Sequence, residues 1–146
     1  MQAIIFTSIQ ASGKSTFYKE YFFKTHIRIN LDMLKTRHRE KLLVSACIEA
    51  KQPFVVDNTN ATRETRARYI IPAKQAGFEI VGYYFQSRID DALRRNETRT
   101  GKERIPDGGI HGTHSRLEIP SFDEGFAKLY YVRIENNGFV VEAWEI

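Results

Sequence analysis

Apolar and polar positions along this chain change period in alternating blocks. Gln2–Thr7 contains the unbroken apolar run Ala3-Ile-Ile-Phe6, suited to a strand buried on both faces of a sheet. Comparable short runs recur at His26–Asn30, Pro53–Asp57 and Glu79–Phe85. Between them the apolar residues fall at helical spacing, which predicts helices over Lys14–Lys24, from Asp32 onward, and over Arg39–Lys51, Thr62–Ala76 and Ser87–Arg99. In Arg39–Lys51 the expected buried stripe is Leu42, Leu43, Ala46, Cys47 and Ala50. Gly77 is a stop signal, Pro72 predicts a kink or break, and Ser87 with Asp90 reads as a capping box. Thr100–Gly112 is glycine-rich and basic and follows neither period. Near the end, Asn136-Asn137-Gly138 separates Tyr130–Glu135 from Phe139–Trp144, a hairpin expected to add antiparallel strands at a sheet edge.

Strand and helix alternate, so the expected class is α/β: a mainly parallel sheet with flanking helices and a C-terminal β-hairpin. At 146 residues, 42% hydrophobic and 27% charged, the chain fits one globular domain over 1–146 and is a poor candidate for disorder. No apolar run approaches the roughly 18–20 residues that span a bilayer, so no membrane partner is expected. Ala3–Phe6 is too short for a signal-peptide core. The one cysteine, Cys47, forms no internal disulfide and falls on an apolar helix face, which points to a packing role and a reducing, cytoplasmic compartment. The net charge of +4 permits a polyanionic partner without requiring one. Its basic residues cluster at Lys35/Arg37/Arg39/Lys41, at Arg63/Arg66/Arg68 and at Arg94/Arg95/Arg99/Lys102/Arg104.

The candidate chemistry begins at residues 8–16, Ser-Ile-Gln-Ala-Ser-Gly-Lys-Ser-Thr. This matches the phosphate-binding loop G-x-x-x-x-G-K-[ST] between a strand and a helix, with Ser8 at the first glycine position. Backbone N–H groups of Ser12, Gly13, Lys14, Ser15 and Thr16 at a helix start would face the phosphates of a nucleoside triphosphate. Lys14 brings a mobile positive charge, and Ser15 offers Mg²⁺ a hard oxygen. Asp32 follows the second strand on the same sheet edge, where a carboxylate can take a proton from an attacking hydroxyl; the same residue also suits a helix N-cap. Asp57 ends the third strand as a Walker-B-type acid for Mg²⁺, and Thr59 and Asn60 are expected to protrude into the site; a polar turn capped by Asn60 or Thr62 fits the same residues. Arg95 and Arg99 lead into the basic loop and suggest a lid around 95–112, with dipole compensation as the plainer role for arginines at a helix end.

Several pieces together are similar to one family. Ala11-Ser-Gly-Lys-Ser-Thr-Phe17, Asn30-Leu-Asp32, Asp57-Asn-Thr-Asn60, Thr65-Arg-Ala-Arg-Tyr69, Arg95-Asn-Glu-Thr-Arg99 and Glu118-Ile-Pro-Ser-Phe-Asp-Glu-Gly-Phe126 resemble the kinase domain of polynucleotide 5′-hydroxyl kinases. The resemblance implies a P-loop kinase fold and transfer of the γ-phosphoryl group of ATP to a DNA or RNA 5′-hydroxyl. It makes Asp32 the general base, Lys14 and Ser15 the nucleotide and Mg²⁺ residues, and Arg99 the lid arginine on the phosphoryl donor. Lys35, Asn60, Arg63 and Arg66 are expected on the substrate side. Leu31 stands where the family has an arginine. Two further readings are a P-loop kinase for a small acceptor and a nucleotide-binding module without turnover.

Overall fold

The computed structural model describes residues 1–144, with Lys102 described through its backbone alone. Its sheet contains β1 (Gln2–Thr7), β2 (Ile27–Ile29), β3 (Phe54–Val56), β4 (Glu79–Phe85), β5 (Lys128–Glu135) and β6 (Gly138–Ala143), in the order β2-β3-β1-β4-β5-β6. All neighbours pair in parallel except β5 with β6. The helices are α1 (Lys14–Tyr21), α2 (Leu31–Leu34), α3 (Arg37–Ala50), α4 (Arg63–Gln75), α5 (Ile89–Glu97) and α6 (Asp107–Arg116).

Strand β1 is central because both of its faces are apolar. Ala3 and Ile5 point into one core layer with Val56, Ile80, Tyr69, Ile70 and Ala73, the last three from α4. Ile4 and Phe6 point into the other, with Phe17 and Tyr18 of α1 and with Val81, Phe85 and Val132. The period of two in the pleat thus sorts one apolar run onto two helical layers. Phe6 packs edge-on against Phe85 with ring centroids 5.0 Å apart, a favoured aromatic geometry.

Five local expectations are corrected. The hairpin adds only one antiparallel strand: β5 pairs in parallel with β4, because the connection from β4 carries α5 and α6 and returns the chain in the same direction. Its turn is as read, with Asn136 and Asn137 both at positive φ (51° and 61°). Helix α3 buries Glu40, Val44 and Cys47, while Leu42 is 59% exposed; tertiary contacts turned the helix away from its most apolar stripe. Helix α5 has Arg88 at its N-cap and no side-chain cap; Ser87 instead donates to Phe85 C=O (2.7 Å) and accepts from Ile9 N–H (3.3 Å). Finally, 100–112 is not featureless. A 3-10 turn at Gly101–Glu103 leads into α6, whose Ile110 packs with Ile9, Ala11 and Ala92. Pro72 does not break α4, which continues to Gln75; Pro72 and Arg68 both lie on its exposed side, where a missing amide donor is replaced by water.

Among the described residues, no helix is long and apolar enough to cross a membrane.

Candidate active site

The loop between β1 and α1 sits at the carboxyl edge of the sheet, where parallel strands open a crevice. Two of its residues have left-handed backbone, Ala11 (φ 58°) and Gly13 (φ 91°). Position 8 is not among these, so Ser8 meets no conformational demand for glycine. Its hydroxyl is fully employed: it donates to Ile9 C=O (2.8 Å) and accepts from Ser12 Oγ (2.7 Å) and Lys14 Nζ (2.9 Å). Lys14 also reaches Ile9 C=O at 3.1 Å. The lysine is therefore folded back over its own loop. Burial lowers its pKa to about 8, against the pull of Asp57; Arg99 lowers it further and Asp32 raises it.

The loop from β3 into α4 forms the facing wall. Ser8 N–H donates to Thr59 C=O (2.9 Å), and the Asn60 amide donates to Phe6 C=O (2.7 Å). Asn60 has φ 45° and is 2% exposed. The residue lines the cleft; its side-chain Nδ2 is spent on holding β1 to this loop, while Oδ1 is buried with no partner among the described residues. Asn30 caps α2 by accepting from Met33 N–H (3.0 Å) and donates to Asp57 C=O (2.6 Å). Because Asn30 takes the cap, Asp32 is released from that role and stands exposed on the cleft wall.

The resulting cleft has a volume of about 600 Å³ and is lined by Lys14, Ser15, Thr16, Asp32, Asp57 and Arg99, among others. Asp57 is 1% exposed. Ser15 Oγ donates to Asp57 Oδ2 at 3.3 Å, while Asp57 Oδ1 is buried with no partner among the described residues. A hydroxyl and a buried, under-bonded carboxylate are the hard oxygen ligands that Mg²⁺ prefers, so Ser15 and Asp57 fit that ion.

The basic residues divide differently from their sequence clusters. Arg99 lines the cleft and donates to Glu103 C=O (3.4 Å). Arg95 is half-buried and donates to Ala11 C=O (3.3 Å), bracing the strained turn of the phosphate loop. Lys35 is exposed at the end of α2 and is not among the cleft-lining residues; Arg37, two positions on, is. Arg63 pairs with Asp123 at 3.1 Å and donates to Ser121 Oγ at 2.7 Å. Arg66 corrects the expectation of a substrate contact. It is wholly buried, with Nε and Nη2 on the two oxygens of Glu124 (2.8 and 3.0 Å) and Nη1 on Asn60 C=O (2.9 Å). No donor face is left for a ligand. The Arg-Ala-Arg and Glu-Gly-Phe segments thus bond to each other, and Tyr69 and Phe126 belong to the core.

Residues at the site that sequence reasoning missed include Arg28, Arg116 and Gln10, while Arg37 comes from a basic cluster the sequence had marked. Gln10 donates to Thr113 Oγ1 (2.9 Å), tying α6 to the phosphate loop. Arg28, on β2, donates from Nε to Asp57 Oδ2 (2.8 Å) and from Nη2 to Ser15 Oγ (2.9 Å). No local signal in the sequence marks it, because the contact joins a strand, a helix start and a strand end.

Comparison with known proteins fits this geometry. An AAA domain family model matches residues 34–118. The chain is 28% identical over 135 residues to the bifunctional polynucleotide phosphatase/kinase of Schizosaccharomyces pombe, covering 88% of this chain and 32% of that protein. It therefore spans about a third of the length of this relative. Among solved structures, Chaetomium thermophilum Kti12 in complex with ADP-AlF3 superposes with a TM-score of 0.64 at 18% identity, covering 90% of this chain and 88% of that one. A gluconokinase from Sinorhizobium meliloti 1021 gives 0.63 at 19% identity (90% and 82% covered), and a sugar kinase from Janibacter gives 0.67 at 14% (90% and 85%). These likenesses concern the fold. The chain belongs to the AAA domain family and has the P-loop kinase fold.

Proposed function

We propose that this chain is a phosphotransferase that moves the γ-phosphoryl group of ATP, or of another nucleoside triphosphate, onto the 5′-hydroxyl end of DNA or RNA. The observation that carries this reading is a single cleft lined by Lys14 and Ser15, by Asp32 and by Arg99. Phosphoryl transfer asks a protein mainly for positioning and charge. The backbone amides of residues 12–16 and the Lys14 ammonium hold the phosphates. Asp32 accepts the proton of the attacking hydroxyl as the new O–P bond forms and the bond to the leaving β-phosphate oxygen breaks. Arg99, carried on the 95–112 segment as on a lid, faces the charge that spreads over the transferred group. Ser15 and Asp57 are the residues to hold Mg²⁺, which when bound neutralises β- and γ-phosphate charge. On the acceptor side, Arg37 and Arg116 line the cleft and are better candidates for backbone phosphates than Arg66. Lys35 is exposed three positions from Asp32, whereas Arg63 is held by Asp123, Glu124 and Ser121.

The nucleic-acid acceptor is supported by similarity to the Schizosaccharomyces pombe protein, whose name includes a polynucleotide kinase. A small-molecule acceptor is the second reading, and one observation favours it. Arg66 and Glu124, residues of the two segments most suggestive of a nucleic-acid enzyme, form a buried ion pair with each other, so their presence is explained by the fold alone.

The test is incubation with Mg²⁺ and γ-labelled ATP plus a 5′-hydroxyl oligonucleotide, beside its 5′-phosphorylated form, with Asp32→Asn in parallel. Label on the 5′-hydroxyl strand alone, lost in the variant, is the expected result. No label on any strand, with ATP bound, would overturn the nucleic-acid reading in favour of a small acceptor.

A further inference from the structure

Arg28 is a strong cation beside the site that the reaction above does not use. It lies on β2, the edge strand, and its guanidinium crosses to the end of β3. There it closes a triangle: Nε on Asp57 Oδ2 (2.8 Å), Nη2 on Ser15 Oγ (2.9 Å), and Ser15 Oγ on Asp57 Oδ2 (3.3 Å). The arginine side chain is 27% exposed and that of Asp57 1%. The guanidinium also lies 5.9 Å from the centre of the Tyr18 ring, which backs it.

Ser15 Oγ and the Asp57 carboxylate are also the groups that fit a divalent cation, with Asp57 Oδ1 still without a partner among the described residues. A buried carboxylate requires a compensating charge, and here the chain supplies its own. A divalent cation on Ser15 Oγ and the Asp57 carboxylate competes with a guanidinium already at hydrogen-bond distance from both groups, because like charges this close repel strongly in a half-buried setting. We propose that Arg28 is a built-in counter-ion for the Ser15–Asp57 pair, one that a divalent cation must displace to bind there. The proposal rests on the reading of Ser15 and Asp57 as metal ligands. Arg28 is then a positioning residue. It holds the Asp57 carboxylate oriented and keeps affinity for the free ion low. Metal therefore enters efficiently only with a triphosphate, whose oxygens provide the additional ligands and negative charge. The exposed portion of the arginine and the open cleft beside it leave room for the side chain to swing aside.

The test is Mn²⁺ binding to the nucleotide-free protein, read by electron paramagnetic resonance of the free ion, in wild type, Arg28→Gln, Arg28→Lys and Arg28→Gln/Asp57→Asn. Arg28→Gln should tighten Mn²⁺ binding by about tenfold or more. Arg28→Lys, which keeps the charge, should stay near wild type, and the double variant should lose the gain. Should Arg28→Gln be unstable through its unpaired Asp57, Mn²⁺ should raise its melting temperature more than that of wild type. Equal or weaker Mn²⁺ binding by folded Arg28→Gln overturns the proposal. Tightening that survives Asp57→Asn overturns it too, since the ion is then bound elsewhere. Asp57→Asn alone separates the two levels: if it weakens Mn²⁺·ATP binding while Arg28→Gln has no effect, the metal assignment stands and only the competition fails. If it leaves Mn²⁺·ATP binding unchanged, the metal assignment itself fails.

Discussion

Lys14 Nζ lies 2.9 Å from the Ser8 hydroxyl, so the residue that departs from the phosphate-loop pattern holds the residue that defines it. Lys14 lines the cleft. A triphosphate entering there must recruit the lysine away from Ser8 and Ile9 C=O. Replacing Ser8 with glycine removes one such bond without altering a backbone that is already unstrained at that position. A charge-assisted hydrogen bond contributes roughly 1.5–3 kcal/mol, most of which water restores. Ser8→Gly should therefore tighten nucleotide binding by a few fold, about 1 kcal/mol, as measured by titration calorimetry. Weaker binding would mean that the Ser8 hydroxyl helps to hold the nucleotide.

The lowered pKa of Lys14, about 8 against 10.5 unperturbed, makes nucleotide binding pH-dependent. In the free protein the lysine loses its proton as pH rises through about 8. Triphosphate charge favours the ammonium and raises the pKa in the complex. Above pH 8 binding must take up a proton, and affinity should fall by up to about tenfold per pH unit until the pKa of the complex is reached. Calorimetry in two buffers of different ionisation enthalpy should find almost no proton uptake near pH 7 and nearly one proton near pH 9. The stability term of the free protein has the opposite slope. The unfolded chain binds more protons between about 8 and 10.5, so this lysine destabilises the fold at lower pH and ceases to do so as pH rises through that window.

Asp32 is released from capping by Asn30 and faces the same cleft as Lys14. Asp32→Asn should lower the transfer rate by roughly 10²–10⁴-fold, the usual worth of a general base, and leave the affinity for ATP within a few fold. Lys14→Ala should weaken both. Arg99→Ala should slow single-turnover transfer more than it weakens ATP binding. An Asp32→Asn protein with near-wild-type turnover would falsify the assignment of the base.

Arg66 gives a stability prediction rather than a kinetic one. Removing one partner of a buried, doubly hydrogen-bonded ion pair leaves the other charge uncompensated, at a cost of about 3–5 kcal/mol. Arg66→Ala should strand Glu124 and Asn60 C=O and move the urea midpoint down accordingly. Unchanged stability together with a raised KM for the acceptor would return Arg66 to the substrate side.

Gly13 is required on two counts. Its φ of 91° is strained for any side chain, and a Cβ built there lies 3.1 Å from both Ile134 Cδ1 and Phe139 Cε1. Gly13→Ala should cost about 1–2 kcal/mol from the left-handed backbone alone, and more from crowding against the hairpin. Denaturation and nucleotide titration together should show lower stability and weaker ATP binding.

The strand runs, the order of strands and helices, the Asn136–Asn137 turn and the residues of the phosphate loop were all legible along the chain, because each is set by neighbours within a few positions. That Lys14, Ser15, Asp32 and Asp57 line one cleft was legible as well, since a parallel sheet gathers its strand ends on one edge. Helix α6 was not. Gly108, Gly109 and Gly112 each disfavour a helix by about 1 kcal/mol relative to alanine. Ile110 and Thr113 hold it through packing against Ile9, Ala11 and Ala92 and the bond to Gln10.

The sequence by itself determined every strand and the helices other than α6, and which chemistry-bearing residues meet at the sheet edge, because periodicity and short motifs encode both. Only the tertiary structure decided how the charges are used. Arg66 and Glu124 are 58 positions apart and Arg28 and Asp57 are 29 apart. Whether an arginine grips a ligand or neutralises a buried carboxylate depends on burial and on the partner across the fold, and neither is a property of the residue's neighbours in sequence.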